Sequence, residues 1–303
     1  GNDILSDNSG TNMLLGGAGA DNLNAAGSSG STLVSHYYGL VNLDTFAEGD
    51  ILIGSSGNDV FYAGYNDSVT GNGGIDLLNL NLQGASTGMT IDLRIPATGG
   101  SVANGSGQIG AVFTNIVTGS NFNDVITAYW SALDSNFWTL RFEGRAGDDM
   151  IVGSGGDEWI YGGSGSDVLI GADGADHLYS HSDYVNASWG EDNALSVDLL
   201  EGGNGDDILD AGVGDTVLGG SGIDRLFLNL SAASGGVTLD FATLSTQSGA
   251  TILGGTIAQI EVIDGVILPN FTNMVSRVGQ LVASQNEIIG GSGNDTIIGS
   301  EFA

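Results

Sequence analysis

Along much of this chain an apolar residue returns every nine positions, with polar or variable neighbours on either side and a glycine-rich stretch before it. In a nine-residue frame, glycine falls at positions 1, 2 and 4, an acid at position 6, and Leu, Ile, Val or Phe at position 8. Alternation over so few residues predicts a very short strand with one inward side chain. The glycines predict the turn, because they tolerate positive φ and allow close backbone approach. Strands and turns at equal spacing predict a solenoid. One coil takes two nonapeptides, and position 8 points inward from two opposed parallel sheets. The fold class read from this pattern is all-β, a parallel β-roll or β-helix solenoid with strand-rich linking segments and aromatic loop insertions.

The repeats come in tracts. They occupy 1–24, 45–79, a single copy at 119–127, 144–179, 193–227 and 281–299, and the cleanest run is GRAGDDMIV, GSGGDEWIY, GGSGSDVLI and GADGADHLY. The repeats at 63–70 and 211–218 are one residue short. Above this period lies a duplication: residues 54–93 align without a gap to 202–241, at a constant offset of 148 and with about half the positions identical. The chain therefore reads as two related units. The first, 1–143, includes a linking segment at 80–118 and an insertion at 128–143. The second, 144–303, has its linking segment at 228–280. Because the chain opens inside a motif and stops abruptly, a fragment of a longer secreted protein is the expectation.

Charge changes the picture. Thirty-six acidic residues face five basic ones, giving a formal net charge of -31. Nucleic acid and anionic membranes are poor partners for such a surface. Self-repulsion on this scale opposes a compact state unless counter-ions bind. Cysteine is absent, so disulfides and thiolate metal sites are excluded. No apolar run is long enough to span a membrane.

With two repeats per coil, position-6 acids about 18 residues apart meet at one corner. The expected pairs are Asp3 with Asp21, Asp50 with Asp67, Asp59 with Asp76, Asp149 with Asp167, Glu158 with Asp176, and Asp207 with Asp224. Carboxylates stacked about 5 Å apart repel unless a cation lies between them. Calcium suits the gap, since it takes six to eight oxygens and turn carbonyls can supply the remainder; magnesium, zinc and copper suit it poorly.

GGSGSDVLI and GGAGADNLN resemble the nonapeptide of RTX proteins, the calcium-binding β-roll repeats of bacterial proteins exported by type I secretion. The resemblance implies several bound Ca2+ ions, each taking carbonyls of positions 2 and 4 and the position-6 acid from one repeat. From the repeat two along, it takes carbonyls of positions 1 and 3 and the acid. Carried over, one site uses Arg145, Gly147 and Asp149 with Gly162, Ser164 and Asp167. Its neighbour uses Ser154, Gly156 and Glu158 with Gly171, Asp173 and Asp176. The same frame assigns Ser55, Gly57 and Asp59 with Gly71, Gly73 and Asp76, and Gly203, Gly205 and Asp207 with Gly219, Ser221 and Asp224. Asp3 joins Gly16, Ala18 and Asp21, and Asp50, Asp67, Asp124, Asp198, Asp215 and Asp295 complete the set. Glu158 departs from the family's aspartate, and the short repeats move Asp67 and Asp215 one place early.

Catalytic signatures are missing: there is no HExxH, no GxSxG and no nucleophile–base pair, and an acid pair in every repeat is unlike a unique catalytic dyad. His177 and His181 lie four apart, but on a strand end running into a loop, where they read as surface histidines rather than a zinc site. Three insertions concentrate aromatics: Tyr37, Tyr38 and Phe46; Tyr129, Trp130, Phe137 and Trp138; Tyr184 and Trp189. These fold back as caps on the core or present a face to protein or glycan. The leading expectation is a structural, non-enzymatic segment of an extracellular bacterial surface protein, an S-layer subunit or adhesin. The alternatives are an export and folding tail of a secreted hydrolase and a ligand-binding module.

Overall fold

The computed structural model describes residues 3–6, 13–15, 22–24, 32–34, 50–54, 59–70, 77–92, 101–104, 107–110, 113–128, 140–181, 196–276 and 287–298. They fall into two compact units, one holding the described residues up to Ala128 together with 140–142, the other those from Glu143 onward.

In the second unit one parallel sheet runs through Glu158–Ser164, His177–Tyr179, Ile208–Ala211, Arg225–Asn229, Val262–Ile267 and Glu287–Ile289. The other runs through Met150–Val152, Val168–Asp173, Leu199–Asn204, Thr216–Ser221 and Gly255–Ala258, and ends on the antiparallel Ala250–Ile252. Successive strands therefore alternate between two sheets, as the nine-residue period requires. Met150 pairs with Val168 and Trp159 with His177, each 18 residues on. Position 8 is the buried one: Ile151, Ile160, Leu169, Leu178, Leu200, Leu209, Val217 and Leu226 are all fully buried. Burying a Leu or Ile side chain contributes about 1.5–3 kcal/mol, so these two facing rows of aliphatics form the centre of the core.

One feature exceeds the sequence expectation. The tracts 144–179 and 193–227 stack directly, Val168 on Leu199 and His177 on Ile208, 31 residues apart. The register of the roll therefore continues across the intervening residues. On the outer face, the Trp159 indole stacks on the His177 ring at 4.8 Å, and Tyr161 stacks on Tyr179 at 4.7 Å. Rings stacked along the coil axis occupy each other's faces, which is a structural use of aromatics.

The first unit repeats the plan. Ile4–Ser6, Asn22–Asn24, Ile51–Ile53, Ser68–Thr70 and Gly107–Gly110 form one parallel run, closed by the antiparallel Ser101–Asn104. Met13–Leu15, Thr32–Val34, Val60–Ala63, Leu77–Asn81 and Phe113–Thr118 form the other. Thr32–Val34 is a coil strand that the nonapeptide frame overlooked, with Leu33 fully buried. Its turn lacks the position-6 acid, so pattern matching had little to find.

The duplicated stretches adopt the same strands: Val60–Ala63 and Ile208–Ala211, Leu77–Asn81 and Arg225–Asn229, Thr90–Asp92 and Thr238–Asp240. Among the described residues one helical turn, Phe241–Leu244, interrupts an otherwise all-β fold. No helix among the described residues is long and apolar enough to cross a membrane.

Candidate metal sites at the corners of the roll

At each corner the position-6 acids form a ladder. The Asp149 amide donates to Asp167 Oδ1 (2.8 Å), the Asp167 amide to Asp198 Oδ1 (2.7 Å), and the Asp198 amide to Asp215 Oδ1 (2.9 Å). The opposite corner runs from Glu158 to Asp176 (2.8 Å), Asp207 (2.8 Å), Asp224 (3.1 Å) and then Glu261 (3.0 Å) by the same amide-to-carboxylate contact. In the first unit the Asp50 amide donates to Asp67 Oδ1 at 2.9 Å. The stacked pairs drawn from the 18-residue spacing at Asp149, Glu158, Asp207 and Asp50 are thus brought together. The structure adds Asp167 on Asp198, Asp176 on Asp207, Asp198 on Asp215 and Asp224 on Glu261, which the sequence frame did not pair.

One carboxylate oxygen serves this ladder. The other points at the position-1 glycine of its own repeat. A Cβ at Gly171 would lie 2.3 Å from Asp176 Oδ2 and 2.6 Å from the Gly202 carbonyl oxygen. At Gly202 it would lie 2.3 Å from Asp207 Oδ2 and 2.5 Å from the Gly219 oxygen, and Gly144 and Gly162 repeat the arrangement with Asp149 and Asp167. Glycine is required here because carboxylate and carbonyl oxygens converge where a side chain would stand. Positions 2 and 4 carry the turn at positive φ, as at Gly163 (115°) and Gly165 (126°), stacked on the carbonyls of Arg145 and Gly147 one coil away. Arg145 and Ala172 hold positive φ at position 2 without being glycine.

The second oxygens of Asp176, Asp207 and Asp224 are buried and accept no hydrogen bond among the described residues. Burial raises all three carboxyls: Asp176 to about 8, with Glu158 and Asp207 adding repulsion, and Asp224 to about 7, with Asp207 and Glu261 adding theirs. A buried anionic oxygen without a donor costs several kcal/mol in the fold unless it is protonated or meets a cation.

Some predicted ligands have other partners. In the short repeats, Asp67 Oδ2 accepts the Gly64 amide at 2.6 Å and Asp215 Oδ2 the Gly212 amide at 2.7 Å. The turn itself supplies the donor. Glu158 reaches back onto Ser154, accepting both its amide (2.9 Å) and its hydroxyl, and burial lifts its carboxyl to about 7. Ser154 and Gly156 stay out of the left-handed region that the matching positions of neighbouring repeats adopt.

Asp124 is a clasp: Oδ1 accepts the Met89 amide (2.6 Å) and the Ser120 hydroxyl (2.8 Å), and Oδ2 accepts the Ser120 amide (2.6 Å). Asn273 plays the same part in the second unit, accepting the Val237 amide at 3.0 Å, and its own amide donates to Asp295 Oδ1 at 3.1 Å. The expected carbonyl ligands are also used between coils: the oxygens of Ser164 and Ser221 accept the amides of Gly147 and Gly205, and that of Ser154 accepts the Asp173 amide. Each keeps a second lone pair.

Gly16, Ala18, Asp21, Ser55, Gly57, Gly71, Gly73, Asp76 and the aromatic insertions lie outside the described residues. Asp3 is exposed, whereas Asp59 is buried. His177 belongs to the ring stack, and His181 Nε2 lies 3.4 Å from Asp210 Oδ2, so the two histidines serve different contacts.

No three acidic or histidine side chains cluster among the described residues. A cation at these corners therefore draws on at most two carboxylates plus backbone carbonyls, an all-oxygen set that suits a hard ion tolerant of irregular geometry. The buried oxygens without donors and the glycine cradles fit calcium.

A chain whose corners repeat in this way is a calcium-binding β-roll. The family model for the RTX calcium-binding nonapeptide repeat matches residues 1–29, 44–78, 143–178, 161–193, 197–218 and 283–301, just over half of the chain. The chain belongs to the RTX repeat family, a group of structural calcium-binding repeats found in proteins typically secreted by type I systems. No curated protein matched the chain in a sequence search.

Proposed function

We propose that this chain is a calcium-binding structural segment of a secreted bacterial surface protein, an S-layer subunit or adhesin, that folds and stiffens when it meets extracellular calcium. The observation that carries this reading is the ladder of buried carboxylates, several with an oxygen lacking any donor, in a chain with only five basic residues. In one copy of the corner, Asp176 and Asp207 with the carbonyl of Gly202 would hold an ion; in the next, Asp207 and Asp224 with that of Gly219. The ion supplies positive charge between stacked anions and ties neighbouring coils together. The chain's own residues supply convergent oxygens, exclude water, and align the coils through the amide-to-carboxylate ladder.

At low calcium the same carboxylates oppose compaction, which keeps the chain exportable. At about millimolar calcium, weak sites fill and binding becomes folding. A surface role is supported by the direct stacking of the repeats on either side of residues 182–195, where the ladder continues across 31 residues of sequence.

Two measurements test this. Far-UV circular dichroism is expected to show strand content that disappears in EGTA and returns with calcium; an unchanged spectrum refutes the folding switch. Electron microscopy and light scattering are expected to show calcium-dependent assemblies for a lattice subunit, and a strictly monomeric chain refutes the lattice.

A further inference from the structure

The ladder at one corner does not stop where the nonapeptides stop. Asp224 belongs to the last glycine-rich repeat before the linking segment, and the acid stacked on it is Glu261, in the sequence IAQIEV, which contains no glycine. Asp224, Gln259 and Glu261 all lie outside the residues matched by the family model.

The corner is nonetheless rebuilt. Glu261 Oε2 accepts the Asp224 amide at 3.0 Å, as each position-6 aspartate does for the coil before it. The amides of Glu261 and Val262 both donate to the Asp224 carbonyl, at 3.1 and 2.9 Å, which pins the segment against the repeat. The Gln259 carbonyl takes the place of the position-1 glycine carbonyl. A Cβ at Gly219 would stand 1.9 Å from Gln259 O and 2.5 Å from Asp224 Oδ2. In a nonapeptide, positions 1 and 6 are five residues apart, whereas Gln259 and Glu261 are two apart. Two features absorb the difference: Gln259 adopts φ +56°, and Glu261 has one methylene more than aspartate. The Gln259 side-chain amide also donates to the Gly220 carbonyl at 3.2 Å, fixing the turn.

Asp224 is fully buried, and its Oδ2 accepts no hydrogen bond among the described residues while it converges with the Gln259 carbonyl oxygen on the space beside Gly219. A buried anionic oxygen facing a carbonyl oxygen, with a second carboxylate one coil on, is an arrangement that only a cation or a proton relieves. We propose that Asp224, Glu261 and the Gln259 carbonyl form an additional calcium site at the end of the roll. It is built by a linking segment that carries no repeat motif, and it rests on the proposed calcium-dependent folding.

The experiment is calcium counting on the 303-residue chain by native mass spectrometry and calorimetric titration, comparing the unaltered chain with Glu261→Gln and Glu201→Gln. Glutamine keeps an oxygen for the Asp224 amide, so the corner can still form. Glu201 is exposed on the outer face and matches the loss of one charge. The expected result is one ion fewer, or one ion bound about tenfold or more weakly, for Glu261→Gln alone. Equal counts and affinities in all three proteins overturn this site while leaving the proposed function standing. An equal loss in both variants also overturns it, because net charge then explains the effect. An unaltered chain that binds no calcium overturns both readings.

Discussion

A nine-residue corner and an eight-residue corner of the same roll solve the problem of a buried carboxylate in different ways. At Asp176 and Asp207, one oxygen accepts a neighbouring coil's amide and the other has no donor. At Asp215, and at Asp67 in the duplicated copy, deletion of one residue swings the second amide of the turn onto that oxygen. Glu158 is a third solution within a full-length repeat, since its extra methylene lets it cap itself on Ser154. The comparison teaches that position-6 acids differ in their second oxygen, which the local backbone satisfies at Asp67 and Asp215 and leaves without a donor among the described residues at Asp176 and Asp207.

The largest effect should come from making the same substitution at both corners. Asp215→Asn places an amide where two backbone N–H groups converge, and a lost buried acceptor costs about 1–3 kcal/mol. That loss should appear in urea unfolding with and without calcium, with the calcium count unchanged. Asp176→Asn should instead stabilise the calcium-free chain, by removing a buried charge whose second oxygen has no donor, and weaken calcium binding. Equal calcium dependence in the two variants would break the distinction.

Acid should separate the states next. The carboxyls of Glu158, Asp176 and Asp224 sit at about 7 to 8 in the calcium-free fold, against about 4 to 4.5 when unfolded. Their raised values mean that the fold holds protons which the unfolded chain releases. This contribution is intact below about pH 4 and is lost as pH rises through 7 to 8. Thermal unfolding of calcium-free protein should therefore show higher stability at pH 5 than at pH 8, and saturating calcium should flatten or invert the trend. Calcium-free protein that gains stability between pH 5 and 8 would contradict this.

The smallest change is Glu158→Asp. Shortening the acid draws its carboxylate back from the Ser154 amide and hydroxyl, so this repeat should come to resemble its neighbours. Calcium titration should show a modest gain in the affinity of one ion. No change would mean that the Ser154 turn, rather than the side-chain length, sets the corner.

The two copies at the 148-residue offset add a control. Asp124 and Asn273 hold the same clasp, on Met89 and on Val237, one with a carboxylate and one with an amide. In both units this position serves as a hydrogen-bond acceptor, whether it carries Asp or Asn. The frame was blind to Leu33 and Glu261. Leu33 has the inward residue without the acid, and Glu261 has the acid without the glycines.

The nonapeptide period determined the coil, the inward row from Ile151 to Leu226, the parallel register and the pairing of acids at the corners. Those are consequences of local geometry: a fixed repeat length places equivalent residues one above another wherever the chain coils. Only the tertiary structure decided which carboxylate oxygens at the corners meet a donor. Continuity of the ladder between distant repeats, the amides that reach Asp67 and Asp215, and the entry of Glu261 from a motif-free segment are visible only once the chain is folded. A buried carboxylate's state is set by the donors within hydrogen-bond reach, and that reach crosses coils far apart in sequence.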